Sequence, residues 1–116
     1  MNSIQFTPVT TQMLKEIVEK ITAIGTPLKI VLFGSWARGE AHAESDLDLL
    51  IIEEPDQGAG DVRARAPYYH VALAGIDIPK DIVVRTPTEV YEWSAVPNAF
   101  ITTALREGKL LYEKSV

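Results

Sequence analysis

The sequence predicts an α/β (α+β) domain: a small mixed β-sheet flanked by helices. Three observations carry that expectation. Helical and strand periods alternate along the chain. One strand-length run is apolar on both of its faces, as in a sheet covered by helices on each side. The length of 116 residues suits one domain with a single core, so residues 1–116 are read as one unit.

The first strong period is helical. Leu14, Ile17, Val18, Ile21 and Ile24 recur at three- and four-residue steps, with Lys15, Glu16, Glu19 and Lys20 on the other side. Thr7-Pro8 or Thr10 can open this helix, and Gly25 followed by Pro27 closes it. Leu28 to Phe33 is a compact branched run ending at Gly34, which reads as a strand. A second strand spans Asp46 to Ile52, where Leu47-Leu49-Ile51 and Leu50-Ile52 supply two apolar faces. Glu53 to Gly60 is a loop by composition, and Glu53, Glu54 and Asp56 read as its solvated acids.

A helical segment follows from Asp61 to about Ala74, irregular near Pro67 because proline interrupts the internal hydrogen-bond ladder. After Pro79-Lys80 comes a third strand, Asp81 to Arg85. Thr86-Pro87-Thr88-Glu89 is a helix start, with a capping Thr, Pro in the first turn and Glu three residues on. That helix runs to about Trp93, and another from Asn98 to Glu107 stops at Gly108. Lys109 to Glu113 reads as an edge strand or a docked tail.

Composition excludes several classes. With no cysteine there are no disulfides, thiolate metal sites or Cys nucleophiles. Eleven basic residues against sixteen acidic ones leave a net charge of −5, which repels duplex nucleic acid. No apolar run approaches the roughly 18–20 residues of a membrane span. Met1 to Pro8 lacks the basic start and apolar block of a signal peptide, so a cytoplasmic protein is expected.

Chemistry concentrates between Gly34 and Asp48. A strand that ends in Gly-Ser and turns at once into a helical turn presents backbone N–H groups to an anion. Gly34 permits close approach, and Ser35 adds a hydroxyl donor. Asp46 and Asp48 stand two apart, so on a strand they share a face within an otherwise apolar run. Two adjacent carboxylates invite a divalent cation, and oxygen-only ligands favour Mg²⁺ or Mn²⁺ over zinc. The plain alternative is a turn at Ser45-Asp46 and a solvated edge residue at Asp48.

Ten residues, Trp36 through Ser45, separate Gly34-Ser35 from Asp46-Leu47-Asp48. This spacing resembles the signature of the DNA polymerase β-type nucleotidyltransferase superfamily, and more closely that of its minimal (MNT) members. The resemblance continues through Ala37-Arg38-Gly39-Glu40, through Asp81-Ile82-Val83-Val84 with Thr86-Pro87, and through Ala104 to Glu113. It thus implies the polymerase β-like nucleotidyltransferase fold. It also implies a third carboxylate on a neighbouring strand. Asp81 fits, opening an apolar strand, whereas Asp77 precedes Ile78-Pro79 and reads as a turn residue.

By the same resemblance, Asp46, Asp48 and Asp81 would ligate two Mg²⁺ ions, and Asp81 would help deprotonate the attacking hydroxyl. Gly34 and Ser35 would hold the terminal phosphates of ATP, with Arg38 either neutralising phosphate charge or standing as a plain surface cation. The family implies a helical HEPN toxin as partner, a tyrosine of it as AMP acceptor, and an antitoxin role. A non-catalytic antitoxin that blocks its partner by contact is one alternative. Transfer to a small molecule is another, against which stands the lack of any acceptor-binding domain. Oligomeric state is left open.

Other residues are read more plainly. Arg63 and Arg65 belong to a solvated helix face or fold over the nucleotide, and Arg85 shares a strand face with Asp81 and can pair with it. His42 and His70 have no metal-ligand spacing and are structural or exposed. Tyr68, Tyr69 and Trp93 are expected to serve packing.

Overall fold

The computed structural model describes residues 9–41, 45–55, 60–96 and 99–115. The first helix, α1, covers Thr11–Ile24; the Thr10 hydroxyl accepts from the Met13 N–H, and Gly25 caps the far end. Strand β1 follows at Lys29–Phe33, then a single helical turn, α2, at Ser35–Arg38. Strand β2 is Leu47–Ile52. The predicted irregular helix resolves into a 3-10 turn at Val62–Arg65 that runs into α3 at Ala66–Ala72, with Pro67 in its first turn. Proline is harmless there because it removes a donor that has no intrahelical partner. Strand β3 is Lys80–Arg85, and α4 is Pro87–Ser94, opened by the full Thr86/Glu89 capping box. Helix α5 spans Phe100–Glu107, and strand β4 spans Lys109–Glu113.

The four strands form a mixed sheet in the order β3-β2-β1-β4. β1 pairs antiparallel with β2 and with β4, whereas β2 and β3 are parallel. A parallel neighbour needs a crossover rather than a tight turn, and the 3-10 turn with α3 supplies it. β4 is the edge strand, not a loose tail.

Both faces of the sheet are covered, as the two-sided apolar pattern of β2 requires. On one face Ile30, Leu32, Leu47, Leu49, Ile51, Ile82 and Val84 pack with Ile17 and Ile21 of α1 and with Tyr69 and Leu73 near α3. On the other face Val31, Leu50 and Ile52 gather Phe33, Val83 and Val90 of α4, and α5 packs on β1. Alternation therefore puts Asp48 and Asp81 on the second, smaller face, at the end of the sheet where β1 stops and β2 and β3 begin.

Candidate active site

β1 delivers the chain into Gly34, whose φ of 74° lies where L side chains are rarely found. A methyl group at Gly34 would collide with the Asp48 carboxylate. Glycine is thus required twice, for its backbone angle and for the closeness of the acid behind it. Ala37 and Arg38 N–H groups then donate to the Gly34 carbonyl at 3.1 and 3.2 Å. Gly39, at φ 73°, ends α2 in the left-handed conformation. Ser35 therefore stands at the first position of the turn, one residue beyond the point of contact with Asp48.

Strand register supplies the rest. Phe33 of β1 lies opposite Asp48 of β2, and Asp48 lies opposite Asp81 of β3. Residues opposite one another on adjacent strands share a face. Asp46 sits two residues before Asp48, just ahead of β2 instead of inside it, and is exposed. Its charge still reaches Asp48. The Asp48 carboxyl is pushed up to about 6, first by burial, then by the charges of Asp81 and Asp46, with Arg38 pulling the other way. Among the described residues no group of three or more His, Asp or Glu side chains is drawn close enough to enclose a metal ion. The acids form an open row beside a glycine turn, each sensed by Asp48.

Arg38 stands at this end too. Its guanidinium is bound to Glu40 at 2.7 Å and to Glu107 of α5 at 3.7 Å, so it is an anchored cation near the row. Asp77 lies elsewhere. It is exposed beside Thr10, Met13 and Glu16 at the start of α1, on the side of the sheet that α1 covers.

Several expectations need correction. Glu53 is not a solvated loop acid: it is 2% exposed, accepts from the Tyr69 hydroxyl, and pairs with Arg65 at 2.5 Å. The apolar run of β2 carries its next residue inward, and α3 brings the partners that make burial tolerable. Arg65 is consequently half-buried and not part of a solvated face. Arg63 pairs with Asp61 at 3.1 Å and Glu89 at 2.5 Å. Arg85 makes no ion pair with Asp81 among the described residues; four residues along a strand is too far, and its guanidinium donates to the Val84 carbonyl at 2.8 Å. Of the aromatics, Tyr69 packs in the core, but Tyr68 is 71% and Trp93 47% exposed. His70 is exposed, while His42 and Asp56 lie outside the described residues. A cavity of about 480 Å³ lies at the opposite end of β2, lined by Gly25, Glu53, Arg65 and Tyr69 among others, away from the acidic row.

The chain is similar to known proteins in sequence and in fold. A candidate protein adenylyltransferase of Methanocaldococcus jannaschii is 44% identical over 45 residues, which is 37% of this chain and 45% of that protein. The chain thus matches less than half the length of this curated relative. A toxin–antitoxin crystal structure with AMP-PNP superposes with a TM-score of 0.59 at 20% identity, over 88% of this chain and 74% of that one. A Shewanella oneidensis complex of tri-AMPylated HEPN toxin with MNT antitoxin gives 0.51 at 18% identity, over 87% and 70%. These likenesses establish the nucleotidyltransferase fold. The sequence pattern of the nucleotidyltransferase domain matches residues 12–113, from the first turn of α1 to the last residue of β4. By that match the chain belongs to the nucleotidyltransferase domain family.

Proposed function

We propose that this protein transfers AMP from ATP to a tyrosine hydroxyl of a HEPN-family partner and thereby acts as its antitoxin. The observation that carries the reading is the register-aligned pair Asp48–Asp81, with Gly34 pressed against Asp48 at the mouth of a Gly-Ser turn. Clustered acids beside such a turn suit a cation-bound polyphosphate. They have no packing purpose, since a half-buried carboxylate beside two like charges is unfavourable until a cation relieves it.

The donor set fits Mg²⁺, being all oxygen and surplus in negative charge. Asp46 and Asp48 would hold two such ions, with Asp81 completing the set. Bound there, they would stabilise charge on the attacking and leaving oxygens. Gly34 and Ser35 would hold the terminal phosphates, and Arg38 would add positive charge nearby. Asp81 would accept the proton of the attacking hydroxyl. A bond then forms between that oxygen and the α-phosphorus as the bond to pyrophosphate breaks. The toxin–antitoxin and AMPylation names of the relatives support the choice of AMP and of a HEPN partner.

The test uses ATP labelled on its α-phosphate, Mg²⁺, and a HEPN-family protein offered as acceptor. Label should pass to the partner protein, with little turnover in its absence. Label found only on a small metabolite would overturn the reading.

A further inference from the structure

The proposed reaction has a direction across the sheet. Attacking and leaving oxygens lie on opposite sides of phosphorus in an in-line displacement. With terminal phosphates at Gly34-Ser35 beyond β1 and the acids of β2 in the middle, the acceptor comes in over Asp81 on β3. β3 is an edge of the sheet, so that side is where a large acceptor has room.

On the same face of β3, four residues beyond Asp81, stands Arg85, roughly 13 Å along the strand. Here a cavity of about 300 Å³ is lined by Arg63, Arg85, Trp93, Ala99 and Ile101. Arg63 is held by Asp61 and Glu89. Glu89 is fully engaged, its other oxygen accepting from the Thr86 N–H in the capping box. Arg85 makes no ion pair among the described residues and faces a second guanidinium across a partly apolar cavity. Burial first, then the Arg63 charge, press its pKa below the usual arginine value, against the smaller opposing pull of Glu89 and Asp61, which are themselves bound to Arg63. An incoming carboxylate would relieve both effects with a planar two-point contact. The exposed ring of Trp93, and the exposed Tyr91 and Val96 on and just beyond α4, offer an apolar margin for the chain that carries it.

We propose that the Arg85 cavity docks the acceptor protein by binding a carboxylate on an acidic segment, roughly 13 Å from the hydroxyl that receives AMP. That span is about four extended residues, so the acid lies about four positions from the acceptor tyrosine when the segment follows β3. The inference rests on the transfer reading above and adds the chemistry of the acceptor. An acidic protein segment suits the site better than a nucleic acid, because the chain's net charge of −5 repels a polyphosphate while one guanidinium suffices for one carboxylate.

The experiment uses a fluorescent peptide with a central tyrosine and glutamates four residues to either side, and a second peptide with glutamines in their place. Binding is read by anisotropy without nucleotide. The glutamate peptide should bind wild type about tenfold more tightly than the glutamine peptide, and Arg85→Gln should erase the difference. Arg85→Glu should prefer the same peptide with lysines. Each variant is first checked by thermal melting; should the Arg85 variants fail to fold, Trp93→Ala, at an exposed position, should weaken the glutamate peptide several-fold. Equal binding of both peptides to wild type overturns the proposal. So does displacement of the peptide by millimolar inorganic phosphate, which would make the cavity a phosphate site. With ATP and Mg²⁺ added, the two readings separate. Arg85-dependent binding without AMP transfer to any acceptor would sink the transfer reading and keep the docking site. Transfer with an unchanged KM in Arg85→Gln would sink the docking site alone.

Discussion

Strand β2 carries an acid at each end, and the two are held in opposite ways. Glu53, following the last residue of β2, is buried and fully matched by the Tyr69 hydroxyl and the Arg65 guanidinium. Asp48, the second residue, is only half-buried, yet its surroundings add two more negative charges against one cation, Arg38, that is already bound to Glu40 and Glu107. Depth of burial is therefore a poor guide to function here. The deeper acid has its counter-charge and its donor, so it ties β2 to α3. The shallower one lacks them, and its neighbours are arranged as though something positive is to be added.

The largest expected difference between the ends is in catalysis. Asp48→Asn should lower AMP transfer by about 10³-fold or more, some 4 kcal/mol on the barrier. Its metal-free thermal midpoint should equal or exceed that of wild type, because a like charge has been removed from the row. Mg²⁺ with ATP should stabilise wild type by mass action and the variant much less. Equal ligand-induced shifts in the two proteins would take Asp48 out of the nucleotide site.

Glu53→Ala should do the reverse. Removing one partner of a buried pair strands the Arg65 charge and the Tyr69 hydroxyl, costing about 3 kcal/mol, the low end for such a loss because Arg65 retains some solvent. Thermal melting should fall by roughly 12 °C. Transfer by the molecules still folded should remain. A normal melting point would mean that the Glu53 cluster does not hold β2 to α3.

The comparison sharpens within the acidic row itself. Asp81→Asn should leave ATP–Mg²⁺ binding largely intact and slow transfer by about 10²-fold or more, as for a positioned base. Asp77→Asn, at the far face beside α1, should behave as wild type. A dead Asp77 variant beside an active Asp81 variant would reverse their roles.

The smallest effect is in pH dependence without metal. Asp48 is raised from 3.8 to about 6, so within that window the folded chain holds a proton that the unfolded chain releases. Stability from this group is greatest below the unfolded value and is lost as pH rises through about 6. After allowance for solvent screening the loss is about 1 kcal/mol. Melting curves across this range should show it as a wild-type decline, relative to Asp48→Asn, with rising pH. Parallel curves would remove the shift.

Local chemistry was readable in advance wherever neighbours along the chain decide the outcome. Thr10 and Gly25 bound α1, and Thr86 with Glu89 open α4, because a cap needs only its own turn. The glycine turn at Gly34 and the acids at Asp46 and Asp48 were legible for a similar reason: a positive φ and a charged residue in an apolar run both stand out from sequence. The surroundings of Glu53, Arg65 and Arg85 were not. Each depends on groups 12 to 22 residues away that only the crossover through α3 brings near, so no local period encodes them. The exposure of Tyr68 and Trp93 is likewise set by which helix face the sheet leaves uncovered. The sequence by itself determined the strands, the caps and the turn that ends β1. Tertiary structure alone decided that β2 and β3 run parallel, which sets Asp81 opposite Asp48, because register is fixed between strands and not within one.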